Sequence, residues 1–211
     1  MRMRVFALSV AILTCLACMG LGNSQAVDTK PRDELHGFEH SRHKVNKNIH
    51  HSFRSYYMYL AYSYCFSRHN VSLPGFERLF RSYSDMELQN AEKLMGYMVK
   101  RGMTFTFHSI HIGNNSCYDR DDDGESARTY VLRVITDTLK NQKMLLSNYI
   151  KTQETASLRN YPHLKHFIED EFMEQKYLKI KEMADIKTRL RTLLLKKQSG
   201  FELFMFDKSL M

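Results

Sequence analysis

The side chains whose types and spacing could do chemistry are histidines, cysteines and asparagines. His36, His40 and His43 stand four and three residues apart, a spacing that lets one turn of helix present imidazoles to a metal such as zinc. Pro31 and the charges around it favour the alternative, an irregular polar arm with exposed histidines. His50 and His51 are neighbours, so at most one can point into a bundle. His108 and His111 fall in a segment expected at the surface. Cys65 and Cys117 can bridge each other, bridge another chain, or stay buried as free thiols. Asn70-Val71-Ser72 and Asn114-Asn115-Ser116 are glycosylation sequons that a secreted chain could use. Arg189, Arg191, Lys196 and Lys197 make one helix end basic, which complements its dipole. No zinc-finger spacing, RNP signature or Gly-rich phosphate loop accompanies them, so no nucleic-acid partner is expected.

The elements that must position these groups follow from composition and periodicity. The 211 residues fit one domain at roughly 150 residues per domain. Hydrophobic residues make up 43% and charged residues 26%, ordinary for a globular chain. With 9 Gly and 3 Pro, a strand-rich sandwich with many tight turns is excluded. Lys and Arg number 31 against 23 Asp and Glu, a net charge of +8 that raises the question of a polyanionic partner. Part of that charge sits in a leader. Arg2 and Arg4 precede an apolar run from Val5 to about Leu21, and Ser24-Gln25-Ala26 supplies small residues for a signal peptidase. Residues 1–26 read as a secretory signal peptide and 27–40 as an N-terminal arm; the alternative for the leader is a retained anchor. Cys15 and Cys18 leave with it, and no later segment is long and apolar enough to need a membrane.

From about Ser41 to Ser67, Val45, Ile49, Phe53, Tyr56, Tyr57, Leu60 and Tyr64 recur at helical spacing. Pro74 suits the first turn of a second helix, which runs to Arg101 and stops at Gly102. A crossing of about twenty residues follows, from Met103 to the acidic turn at Asp119–Gly124. Helix three spans about Glu125–Thr152, and Pro162 opens helix four, which Ser199-Gly200 breaks before a short apolar stretch, Phe201–Phe206. Short, long and short links between four long helices predict an all-α four-helix bundle with one crossover and a short fifth helix. It occupies residues 41–211.

In this order the motifs resemble the ferritin family. Tyr56 to Tyr64 resembles the first helix of eukaryotic ferritins, and Asn90-Ala91-Glu92-Lys93-Leu94-Met95 with Arg101-Gly102 the end of the second. Pro162-His163-Leu164 with Phe167-Ile168-Glu169 resembles the start of the fourth, and Phe206-Asp207-Lys208 the fifth helix and tail. The resemblance implies an iron-storage subunit of a 24-subunit shell. In catalytic chains of the family, inward Glu and His residues hold two irons, which suit hard carboxylate and imidazole donors. Carried over position by position, the site's tyrosine is Tyr59, but the helix-one carboxylate is Ser52. The Glu-x-x-His of helix two is Glu87 with Asn90. The helix-three glutamate falls at Thr138, with Asp137 or Leu139 one residue away, and the helix-four glutamine becomes Lys176. The expectation is a degenerate diiron centre with no catalytic residues, filled by a Lys176–Glu87 ion pair.

The pattern is similar to light, non-ferroxidase chains, which rely on a heavy-type partner for Fe(II) oxidation. Their cavity-side cluster for ferric mineral maps to Ser82, Asp85, Met86, Gln89 and Glu92, acidic only at Asp85 and Glu92. A solvated helix face explains those two acids equally well. The two acids of the family's three-fold pore map to His166 and Glu169, i and i+3 on one helical face. The change to histidine makes the pore less negative, and repulsive to cations once imidazole protonates. The rival readings are a residual ferroxidase using Glu87, Tyr59 and a histidine, and a structural shell subunit that handles no iron.

Overall fold

The computed structural model describes residues 39–111, 117, 126–195 and 201–211, without the side chains of 39, 40, 194 and 195. All belong to the second of two units, Met1–Pro31 and Arg32–Met211. The signal peptide, most of the arm with His36, the Asn114 sequon, the acidic turn, Lys196, Lys197 and Ser199-Gly200 lie outside the described residues.

Helices α1 (Glu39–Ser67) and α2 (Pro74–Lys100) are joined by a short connector in which Ser72 takes φ 48°. Pro74 occupies the first turn of α2, where its missing N–H costs nothing. Gly102 takes φ 70° just past the end of α2, the left-handed stop its position suggested. Helix α3 (Ala127–Leu158) begins at Ser126, whose hydroxyl caps the Thr129 N–H. It runs six residues beyond the expected Thr152. The fourth rod comes in three continuous pieces: α4 (Pro162–Ile168), a π turn (Glu169–Met173) and α5 (Glu174–Leu195). Helix α6 (Phe201–Lys208) is the expected short fifth helix.

The π turn has a reason in the sequence. Leu164, Ile168, Phe172 and Lys176 are all buried and lie four residues apart. In an α-helix each such step drifts by roughly 40°, which would carry Lys176 off the inward face. A turn closed by i→i+5 bonds takes up the extra residue and keeps all four pointing inward.

The contacts fix the bundle's directions. Phe66 at the end of α1 stacks on Phe76 at the start of α2, with ring centroids 5.3 Å apart, and meets Tyr130 at the start of α3. At the other end Val45 and Ile49 share a cluster with Leu94, Tyr97, Met98 and Ile168. So α1 and the fourth rod run one way, α2 and α3 the other. The expected stripe of α1 holds at Val45 and Ile49, which are buried, and at Phe53, Tyr56 and Leu60, which are half-buried; Tyr57 and Tyr64 are 42% and 65% exposed, while Ser52, Ser55 and Ser63 face inward. The inward face continues through Tyr59, Tyr62 and Phe66 with serines between them.

Two tethers close the structure. Cys65 and Cys117 form a disulfide with Cα atoms 5.3 Å apart, pinning the far part of the crossing to α1. Buried Asp207 of α6 accepts the Phe76 N–H at 2.9 Å, capping α2 from 131 residues away. A Cβ on Gly75 would overlap the Asp207 carbonyl oxygen, so glycine is what lets α6 seat there. Among the described residues no helix is long and apolar enough to cross a membrane.

Candidate metal centre

The core is split. One apolar cluster is built around Phe66, Phe76, Phe80 and Tyr130, the other around Leu94, Leu145, Tyr149 and Phe172. Between them every rod contributes polar residues at one level. Ser52 and Ser55 come from α1, Glu87 and Asn90 from α2, and Thr138 and Gln142 from α3. Lys176 comes from α5. A layer of buried polar groups at mid-bundle is costly unless fully hydrogen-bonded, so it marks the site.

Its centre is the Lys176–Glu87 ion pair, both side chains fully buried. The expected pairing is therefore formed, through Lys176 Nζ and Glu87 Oε1. Gln142 Nε2 donates to the same carboxylate oxygen at 3.1 Å, and Asn90 Nδ2 to the other at 3.4 Å. Asn90 Nδ2 also donates to Gln175 Oε1 at 2.9 Å. Burial pushes the Lys176 ammonium down from its usual range, Glu87 pulls it back up through charge and hydrogen bond, and Lys179 adds a smaller push down. Among the described residues of this layer each member is the other's counter-charge, and with both fully buried the pair is favoured over separated charges.

Tyr59 does not aim at a vacant metal position. Its oxygen accepts from Asn141 Nδ2 at 2.9 Å and Gln142 Nε2 at 3.0 Å. Burial, then the charge of Glu87, push its phenol well above the ordinary range. Asn141 also donates to Ser55 at 2.8 Å, and Ser52 lies 3.4 Å from the Tyr149 hydroxyl. Sequence reasoning missed Asn141, Gln142 and Gln175. The usable signal was the run of polar residues at inward spacing on α3, Thr138 and Gln142, four apart.

Two irons need several carboxylates and imidazoles. This layer offers one carboxylate, already neutralised by an ammonium, with serine, threonine and amides where the other donors would stand. The donor set does not fit a diiron group. Asp137 does not rescue it: it is partly exposed and pairs with Lys140 at 3.4 Å. Among the described residues no three His, Cys, Asp or Glu side chains converge as a metal site.

The other expected residues lie apart from this layer. Asp85 is half-exposed and pairs with Arg81 at 3.3 Å; Glu92 is exposed on the same helix. His166 Nδ1 stands 3.6 Å from Glu169 Oε2, so these two are brought together as expected. Lys165 also approaches Glu169, at 3.9 Å, and Gln153 Nε2 donates to it at 3.0 Å. The lysine, unforeseen, reduces the negative potential there further. His43 is exposed, His40 lies within α1 rather than in the arm, and His50 and His51 are part-buried, neither enclosed.

Residues 42–193 match the ferritin-like domain family. The chain belongs to the ferritin family. A ferritin from Pacifastacus leniusculus is 29% identical over 175 residues, covering 83% of this chain and 90% of that one. The chloroplastic ferritin-1 of Brassica napus is 30% identical over 167 residues, 79% of this chain and 62% of its own length. Soma ferritin of Lymnaea stagnalis is 29% identical over 164 residues, 78% and 86% respectively. Membership implies iron storage in an oligomeric shell.

Proposed function

We propose that this ferritin is a light-chain-like storage subunit that does not oxidise Fe(II) itself. It holds ferric mineral as part of a mixed shell in which a heavy-type chain supplies the ferroxidase. The observation that carries this reading is the Lys176–Glu87 pair, which occupies the level where a diiron group would sit. An ammonium there repels Fe²⁺ at any pH at which the pair is intact.

Iron entry would use His166 and Glu169, paired on one helical face, three copies of which would converge at a three-fold axis of the shell. With Lys165 beside them, this pore favours cations less than an all-acid one. Mineral contact would fall to Asp85 and Glu92 on the exposed face of α2. Secretion is part of the proposal. The Arg2–Leu21 leader supports it, as does the Cys65–Cys117 disulfide, a bond that persists mainly in oxidising compartments.

The test is oxygen uptake on adding Fe²⁺ to the purified homopolymer, alone and mixed with a heavy-type ferritin. Slow oxidation alone and normal core growth in the mixed shell are expected. Rapid oxidation by the homopolymer, abolished by Glu87→Ala, would overturn the reading in favour of a residual ferroxidase.

A further inference from the structure

Helix α1 is nearly devoid of acids. After Glu39 its charges are Arg42, Lys44, Lys47 and Arg54, and it carries His43, His50 and His51. Residues 103–111 lie along it and add His108 and His111, again without an acid. The seam is stitched at four places. Arg42 Nε donates to the Thr104 carbonyl at 3.2 Å, and the Thr106 N–H to Asn46 Oδ1 at 2.8 Å. Asn46 Nδ2 meets His108 Nε2 at 3.5 Å, and Arg54 Nε donates to the His111 carbonyl at 3.1 Å. The rings of His50 and His108 stand edge to face, 6.0 Å apart, and Phe53 packs on Phe107 at 5.8 Å. A cleft of about 360 Å³ lined by Arg42, His43, Asn46, Thr106 and His108 opens this seam to solvent.

One stitch works only with a neutral imidazole. Asn46 Oδ1 is engaged by the Thr106 N–H, which fixes the amide so that its NH₂ faces His108 Nε2. That nitrogen must therefore accept. Protonated, it becomes a donor facing a donor. At the second imidazole, His50, every effect from the described residues acts one way: burial, then the charges of His108, Arg54 and His111, lower its affinity for a proton. His51 is pushed down to about 4 by burial, then by Lys47, His50 and Arg54. From α1 and from residues 103–111 alike, the groups that act on these rings are basic, and among the described residues no carboxylate of α2 or α3 acts on them.

We propose that this histidine seam is an acid-sensitive latch, holding residues 104–111 on α1 at neutral pH and releasing them in mild acid. The segment would bow out rather than fray, because both sides are anchored. Met103 is buried with its N–H on the Met98 carbonyl, and Cys117 is tied to Cys65. The direction follows from linkage. A histidine whose proton affinity is lowered in the latched state stabilises that state above pH 6.5. The contribution is lost as pH falls from there through the lowered value. Release uncovers Phe53 and exposes the segment to proteases in acid.

Hydrogen exchange of the assembled protein tests this at pH 7.5 and 5.5, after correction for intrinsic rates. Protection of residues 104–111, the Thr106 amide above all, should fall several-fold, in the direction set by an imidazole whose proton affinity is lowered in the latched state. Peptides from residues 76–98 of α2 should not change. In the variant His50→Gln/His108→Gln the fall should vanish. Should that variant not assemble, the single variant His108→Gln provides the second readout, and its acid response should shrink because the imidazole facing Asn46 is gone. The proposal is overturned by equal protection at both pH values, by parallel opening of α2, or by an undiminished response in either variant.

Discussion

Replacing Glu87 by glutamine keeps the size and hydrogen-bonding shape of the side chain but strands Lys176. Both groups are fully buried, and the effects that raise the lysine's proton affinity both come from Glu87. With them gone, only burial and Lys179 act, and both favour neutral lysine. The variant therefore folds by discarding a proton. Taking one from an ammonium of ordinary pKa near 10.5 costs about 4.8 kcal/mol at pH 7 and about 2 kcal/mol at pH 9, at 1.36 kcal/mol per unit. The unfolded chain then binds one more proton than the folded one, so stability of the variant rises with pH. Guanidinium unfolding at pH 7 and 9 should show the deficit relative to the parent shrinking by about 2.7 kcal/mol. The mirror variant, Lys176→Met, leaves a carboxylate that must gain a proton, so its deficit should instead grow between pH 5 and pH 7. Removing both charges, in Glu87→Gln/Lys176→Met, should recover most of the loss and flatten the dependence. A deficit in Glu87→Gln that is equal at pH 7 and 9 would refute the reasoning, because it would mean Lys176 reaches water.

Other expected outcomes concern the tethers. Asp207→Ala removes the cap on the Phe76 N–H and should cost about 1 kcal/mol by urea or thermal unfolding. Gly75→Ala drives a methyl into the Asp207 backbone. It should free α6, seen as faster hydrogen exchange across residues 201–208, with little change in the mid-bundle layer. Reducing Cys65–Cys117, or replacing both by serine, should destabilise by about 4 kcal/mol for a closed loop of 52 residues. Peptide mapping without reductant should recover the two cysteines in one linked pair. Glu169→Gln should slow iron entry into the mixed shell, and His166→Asp should speed it, measured by the rate of core growth.

The number and order of the helices were legible because apolar spacing, Pro74, Gly102 and Pro162 act locally. The positions of the centre were legible too, through resemblance: Ser52, Glu87, Asn90, Thr138 and Lys176 all stand at one level of the bundle. The inward phase of α1 was legible at Val45 and Ile49 but not throughout. Tyr57 and Tyr64 look more like core residues than Ser52 and Ser55, and at those positions hydrophobicity alone chose wrongly. A serine faces inward when the partners across the bundle are Tyr149 and Asn141, which no local window contains.

The sequence by itself determined a four-rod helical bundle, a statement about residue types at fixed local spacing. Its resemblance to ferritins implied that Ser52, Asn90, Thr138 and Lys176 stand where the family places iron ligands. Only the tertiary structure decided that Cys65 pairs with Cys117, that Asp207 caps α2, that Gln142 and Asn90 share the carboxylate of Glu87, and that a π turn brings Lys176 inward. Each joins groups far apart in the chain or adjusts one helix to another. Its energy depends on burial and on which partner is nearest, quantities that exist only once the rods have packed.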